Sequence, residues 1–194
     1  GITFSGPEIV RLLLVNFELD RNSPVLAWQA QVALRLADRL DFIMALTERQ
    51  GDFEPRPNML VEQIPRRVSS WPGKAFSVMQ LNAHVVALCR QHRLSVCFVH
   101  MAHRWAYLLF PALRLMRVPI LLWYAHGTVT RSLKLAHACA ELVVTSSPEG
   151  FRIPSAKIHV IGQGVDTEVF TPVNKTGKRT EILYIGRVSR RKRI

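Results

Sequence analysis

The sequence predicts an α/β fold, a parallel sheet with helices on both of its faces, and three observations predict it. Short, nearly continuous apolar runs of strand length recur along the chain, among them the runs around Leu12 to Val15 and Leu94 to Val99. Segments with apolar residues at helical spacing separate most of these runs. Histidine, glycine and serine stand where the runs end, at His100, His126, Gly127, Ser146 and Ser147. Such alternation implies right-handed crossovers between parallel strands, so functional residues are expected at the carboxyl ends of the strands.

Glu8 to Phe17 is the first run, suited to a central strand buried on both faces. Polar Asp20, Arg21, Asn22 and Ser23 follow, and Pro24 opens a helix to Arg39 with Leu26, Ala30, Ala33, Leu34 and Ala37 along one stripe. Asp41 to Leu46 reads as the second strand, Gly51 to Asn58 as a proline-bearing loop, and Met59 to Ile64 as a weaker strand. Lys74 to His92 is a long amphipathic helix, after which Leu94 to Val99 forms a strand that delivers His100. The stretch from Trp105 to Tyr124 has the length and apolarity of a membrane span. Arg114, Arg117, Pro111 and Pro119 make that reading costly, and a helix to Arg117 followed by a strand from Val118 to Tyr124 replaces it. A helix from Val129 to Ala140, a strand from Leu142 to Thr145, a turn or short helix start at Ser146 to Gly150 and a strand from Ile158 to Ile161 complete the domain. Glycines, Pro172 and polar residues then interrupt the pattern before a new buried strand at Ile182 to Ile185. The predicted organisation is one domain over 1–172, then a linker and the incomplete start of a second over 173–194.

Composition narrows the classes. Hydrophobic residues make up 48% of the 194 and charged residues 21%, which excludes a disordered chain. Cys89, Cys97 and Cys139 form no CxxC or Cys/His ligand spacing, so neither a disulfide framework nor a zinc site is expected, and free thiols in a reducing compartment are. No basic segment followed by an apolar run stands near the start, which makes a cytoplasmic protein the expectation. The net charge of +12 is concentrated in the tail, where eight basic residues between Lys175 and Arg193 face only Glu181. Arginine does not interleave with aromatics as in single-strand binders, so nucleic acid is disfavoured as a partner. Neither a GxSxG elbow nor HExxH is present, so no hydrolase nucleophile or metal is expected. A different enzyme of this fold class, such as an epimerase or a dehydrogenase, would need GxGxxG after the first strand, and Phe17 to Pro24 contains no glycine, which excludes both on this reading.

The motif of highest specificity is Ile161-Gly-Gln-Gly-Val-Asp-Thr-Glu-Val-Phe-Thr-Pro172, followed by Ile182-Leu-Tyr-Ile-Gly-Arg-Val-Ser-Arg-Arg-Lys192. It resembles the interdomain signature of family 4 of the GT-B glycosyltransferases, I-x-N-G-V-D-x-x-x-F-x-P, then a strand, then G-R-L-x-x-x-K-G. Phe98-Val-His-Met101, the strand ending in Ala125-His-Gly127, and Thr145-Ser-Ser-Pro-Glu-Gly150 are similar to the N-terminal half of the same family. The resemblance implies an acceptor-side Rossmann-like half of a two-domain enzyme that transfers a sugar from a nucleotide sugar with retention and without a metal or other cofactor. By it, Arg187 and Lys192 correspond to the basic pair on the donor diphosphate, a bidentate guanidinium and a mobile ammonium. His100 corresponds to the histidine beside the transferred sugar, with His103 as its rival one turn on. His126 corresponds to the strand-end His-Gly, as cleft lining or as a backbone bond. Gly162 and Gly164 let the cleft loop approach closely, and Gln163 replaces the usual Asn.

Departures from the family pattern carry expectations too. The glycine-rich loop after the first strand is missing, so Asp20, Arg21 and Asn22 are candidates for acceptor recognition through side chains. Ser146 and Ser147 before Pro148 suit capping of the short helix better than substrate. Arg35, Arg39, Arg66 and Arg67 offer a peripheral membrane contact for a lipid-linked acceptor, although solvated helix faces explain them as well. Glycan and small-molecule acceptors stand equally open. In the family the E-x7-E carboxylates that bind the donor lie in the second domain, at positions that would fall beyond Ile194, so this chain by itself is expected to be inactive. The alternative is a binding module for glycan or lipid, or a subunit whose partner supplies the donor domain.

Overall fold

The computed structural model describes residues 9–64, 71–164, 167 and 171. The predicted sheet is there. Strands β1 (Arg11–Leu19), β2 (Phe42–Gln50), β3 (Met59–Gln63), β4 (Val96–His100), β5 (Ile120–Trp123), β6 (Leu142–Thr145) and β7 (Ile158–Val160) pair in the order β3-β2-β1-β4-β5-β6-β7. Every pairing is parallel. Helices α1 (Ala27–Ala37), α2 (Trp71–His92), α3 (Arg104–Leu108), α4 (Phe110–Leu115) and α5 (Arg131–Cys139) connect the strands. The chain divides into compact units at 1–163 and 164–194.

Right-handed crossovers put connections that run leftward along the sheet on one face and those that run rightward on the other. From β1 the chain steps left through α1 to β2 and through the helix-free loop 51–58 to β3. On that face Leu12, Leu14, Ile43, Ala45 and Met59 pack under Ala30, Ala33 and Ala37 of α1 and Phe53 of the loop. From β4 it steps right, and α2 to α5 cover the opposite face. There Leu13, Val15, Met44, Val99, Ile120 and Leu122 meet Val85, Leu88, Trp105, Leu109, Leu113 and Leu133. Alternate residues of β1 thus serve different cores, which is why its run reads as continuously apolar.

Several boundaries differ from the sequence reading, and the ends of β1 and β2 and the break in one helix have definite reasons. β1 and β2 run on to Leu19 and Gln50, because the ladder continues through polar pairs such as Glu18 opposite Arg49, which hydrophobicity does not mark. The helix expected over Arg104 to Arg117 is two helices that meet at Leu109. Pro111, in the first turn of α4, has no N–H with which to extend the ladder of α3. The three thiols are free. Burial raises the pKa of Cys89 to about 11 and that of Cys97 further, so both behave as apolar side chains. Among the described residues no helix is long and apolar enough to cross a membrane, and no group of three or more His, Cys, Asp or Glu could hold a metal.

Candidate functional site

Strand order reverses between β1 and β4, where the crevice of an open parallel sheet forms. Val15 pairs with Val99, so the next residues, Asn16 and His100, stand side by side at the carboxyl end. Both lie on the α1 face and both are buried, Asn16 at 0% and His100 at 3% exposure. Aromatic rings enclose the imidazole. Trp28 of α1 meets it edge-on at 4.8 Å, Phe98 stacks at 5.3 Å, and Trp123 of β5 stands at 6.2 Å. Loss of water lowers the pKa of His100 to about 4, so the ring is neutral at pH 7. A neutral imidazole exchanges hydrogen bonds with hydroxyls without carrying charge.

Met101, just beyond, takes φ of +60°, a left-handed conformation that is strained for a residue with a side chain. Its N–H donates to Trp123 O at 2.9 Å and its sulfur accepts from Ala125 N at 3.4 Å, so neighbouring strand ends hold the bend. His103 belongs to the opposite face. Its Nε2 is 3.0 Å from Ser132 Oγ, which is 2.9 Å from the Oγ1 of Thr130, the N-cap of α5. Burial, then the Arg104 charge, lower its pKa. His103 and His126 flank Tyr124, with ring centroids at 5.3 and 6.3 Å. The Nδ1 of His126 accepts from Thr128 N at 3.2 Å, and the backbone N–H of His126 donates to Gly150 O at 2.9 Å, so both bonds serve the loop. Gly127 admits no side chain cheaply, since a Cβ there would meet Glu149 O at 3.2 Å and the Arg152 guanidinium at 3.3 Å. His103 and His126 thus come together, while His100 stands apart under α1.

The loop after β1 is tied to itself. Asp20 Oδ1 accepts from Asn22 N at 2.8 Å in an Asx-turn, and Asn22 Nδ2 donates to Asp52 Oδ2 at 2.9 Å. Asp20 also packs against Gly51, where a Cβ would lie 2.2 Å from Oδ2. Arg21 is exposed, and its backbone N–H donates to Asp52 O. Gly162 has φ of +78° with nothing near its missing Cβ, so that glycine answers to backbone conformation; Gly164 is exposed with open space around it. Asp166, Arg187 and Lys192 lie outside the described residues.

Other residues at this end of the sheet were not singled out by the sequence. Glu48, near the end of β2, accepts from Trp105 Nε1 at 2.7 Å and from the Arg104 guanidinium. It lines a cavity of about 440 Å³ with Phe17, Leu26, Arg49 and Gln63. Glu18 accepts from Ser23 Oγ at 2.8 Å and pairs with Arg49 at 3.4 Å. Gln29, buried in α1, accepts from the N–H of Phe17 and of Glu18 at 3.2 Å each. The rule that ligands sit at carboxyl ends points to Glu48 and Arg49. Asn16 carries a signal of its own, a lone amide inside an apolar strand.

No protein-family model matches the sequence, and no curated protein matches it. Solved structures do. Similarity extends to MurG from Acinetobacter baumannii, with a TM-score of 0.57 and 14% identity over 79% of this chain and 45% of that one. A glycosyltransferase from Rickettsia africae matches with a TM-score of 0.58 and 16% identity over 86% of this chain and 46% of that one. A UDP-N-acetylglucosamine 2-epimerase matches with a TM-score of 0.53 and 12% identity over 78% of this chain and 48% of that one. The chain spans less than half the length of each. These likenesses establish the Rossmann-like fold of one half of the GT-B architecture. The epimerase corrects one step of the sequence argument: absence of GxGxxG excludes dinucleotide-dependent enzymes, but not an epimerase of this fold.

Proposed function

We propose that this chain is the acceptor-side half of a family 4 glycosyltransferase that moves a sugar from a nucleotide sugar to a hydroxyl acceptor with retention. The observation that carries the reading is the pairing of the 161–192 motif with a sheet whose switch point presents His100. On this reading the neutral imidazole donates a hydrogen bond to a hydroxyl of the transferred sugar as positive charge grows at the anomeric carbon. Substrate reaches the ring by displacing the Trp28 indole, which stands in the first turn of α1, where the N-cap Leu26 makes no side-chain cap. Arg187 and Lys192 hold the diphosphate, and Gly162 and Gly164 let the connecting loop approach it. The cavity beside Glu48 and Arg49 receives the acceptor, and the side chains of Asp20 and Arg21 take part in recognising it. A lipid-linked acceptor would add a peripheral membrane contact at the inner face; a glycan or small molecule would not. The likeness to an epimerase favours a second reading, inversion of a carbon on the nucleotide sugar with no acceptor.

The test uses the protein with whatever sequence follows Ile194. Each nucleotide sugar of a panel is incubated with and without acceptor extracts, and free nucleotide diphosphate and sugar epimers are quantified. Nucleotide release that depends on acceptor, and that falls about 10²-fold or more in His100→Ala, supports transfer. Epimer formation without acceptor overturns it in favour of the second reading. Tight glycan binding with no turnover leaves a binding module.

A further inference from the structure

Three side chains at the switch point carry buried polar atoms with no hydrogen-bond partner among the described residues: Oδ1 of Asn16, Nε2 of Gln29 and Nδ1 of His100. All three residues are at least 97% buried, at 0%, 1% and 3% exposure. They come from β1, α1 and β4 and lie on one face. Asn16 neighbours His100 across the β1–β4 ladder, whose last printed pair is Val15 with Val99. Gln29 follows Trp28, the residue edge-on to the imidazole, and its Oε1 caps the N–H groups that flank Asn16 on its carboxyl side.

The amide orientations are fixed by bonds already made. Gln29 Oε1 accepts two backbone N–H groups, so Nε2 is the end left over, and it is a donor. Asn16 Nδ2 donates to Glu18 O at 3.5 Å, so Oδ1 is left over, and it is an acceptor. One donor, one acceptor and an imidazole nitrogen match a single water molecule: it accepts from Gln29 Nε2, gives a hydrogen to Asn16 Oδ1, and pairs with His100 Nδ1 as donor or as acceptor according to the tautomer. Buried waters make about three such bonds to polar groups otherwise unsatisfied. The alternative, three bare polar atoms, costs about 1–3 kcal/mol for each.

We infer that Asn16 and Gln29 are positioning residues for His100, acting through one internal water that accepts from Gln29, donates to Asn16 and is hydrogen-bonded to His100 Nδ1. Nδ1 is thereby engaged inside the protein, and Nε2 is the ring nitrogen left for a ligand. The inference concerns the site of the proposed transfer and rests on that reading only for its catalytic meaning. Its structural content stands or falls alone.

The test is a crystal structure of the chain at a resolution that shows ordered water, with no donor or acceptor present, so a failed transfer assay and a failed water assignment are separate results. A water within hydrogen-bonding distance of Asn16 Oδ1, Gln29 Nε2 and His100 Nδ1 upholds the inference; direct contacts among the three atoms, or no water there, overturn it. A positioning role also predicts that the imidazole signals of His100 in ¹⁵N-edited NMR at pH 7 move in Asn16→Leu and in Gln29→Leu, and folded variants whose His100 signals are unchanged overturn it.

Discussion

The two faces of the sheet are built differently although β1 and β2 serve both. The α2–α5 face is a continuous apolar core of large side chains, among them Leu13, Trp105, Leu109, Leu113, Leu122 and Leu133. The α1 face is thin. One helix presents alanines at Ala30, Ala33 and Ala37, and the space toward the carboxyl end is given to Asn16, Gln29 and His100. Small residues bring α1 close to the sheet, and closeness lets Gln29 reach the backbone of β1 and Trp28 reach the imidazole. The contrast separates two tasks, stability on one face and a buried polar constellation on the other.

The largest expected break in that division is Leu113→Ala. The side chain is fully buried, and truncation should cost about 2–5 kcal/mol, read as a lower urea midpoint with the slope unchanged. A mild loss would mean that the α2–α5 face can collapse around the gap. The next effect belongs to the thin face and depends on pH. His100 titrates near 6.5 when unfolded and at about 4 when folded, so the unfolded chain takes up the proton first. The stability contributed by the neutral ring is full above about pH 6.5 and is lost as pH falls through the interval down to 4. It amounts to about 3 kcal/mol as an upper bound. Urea titrations at pH 7 and pH 4.5 should show the slope in the wild type and much less of it in His100→Phe; equal slopes would remove His100 from acid denaturation. Burial also lowers the pKa of His103 and of His137, which act in the same direction and persist in the variant.

Ala33→Leu tests whether close approach of α1 is required. Overpacking should cost about 1–3 kcal/mol and change the Trp28 fluorescence, whereas the matching enlargement of an exposed site, Gln31→Leu, should do neither. The smallest effect is expected at Thr130→Ala, which removes the N-cap bond to Leu133 N at 3.1 Å and costs about 1 kcal/mol in thermal unfolding. The same change withdraws the hydroxyl beside Ser132, so the His103 resonance should move while that of His100 stays, if the two histidines are as separate as their faces imply.

Much of the fold was legible because parallel strands buried on both faces carry the plainest of signals. Leu142 to Thr145 is a strand over its predicted span, and the loop after Gln50 contains no helix, as read. Ends were less legible, since pairs such as Glu18 and Arg49 extend the ladder by register rather than by apolarity. The break at Leu109 was within reach, given Pro111, but the surrounding apolar run outweighed it. At the site, carboxyl-end position drew attention to His100, His103 and His126 alike. It could not show that His100, the last residue of β4, stands against Trp28 of α1 while His103 and His126 meet at Tyr124 on the other side. Gln29 was hidden by its helical neighbours, because its importance comes from the backbone of β1, which no local pattern encodes.

The position of β1 in the sheet has a consequence for synthesis. Its neighbour β4 pairs from Val96 onward, and Arg11 N meets Ser95 Oγ across 84 residues. At about 5–20 residues per second, the ribosome exposes the apolar central strand for roughly 4–17 s before that neighbour exists. For that interval an edge of Leu12, Leu13, Leu14 and Val15 stands unpaired, the kind of template on which nascent chains aggregate. Slower or faster translation and chaperone supply should therefore change the yield of this protein even where the stability of the finished sheet is the same.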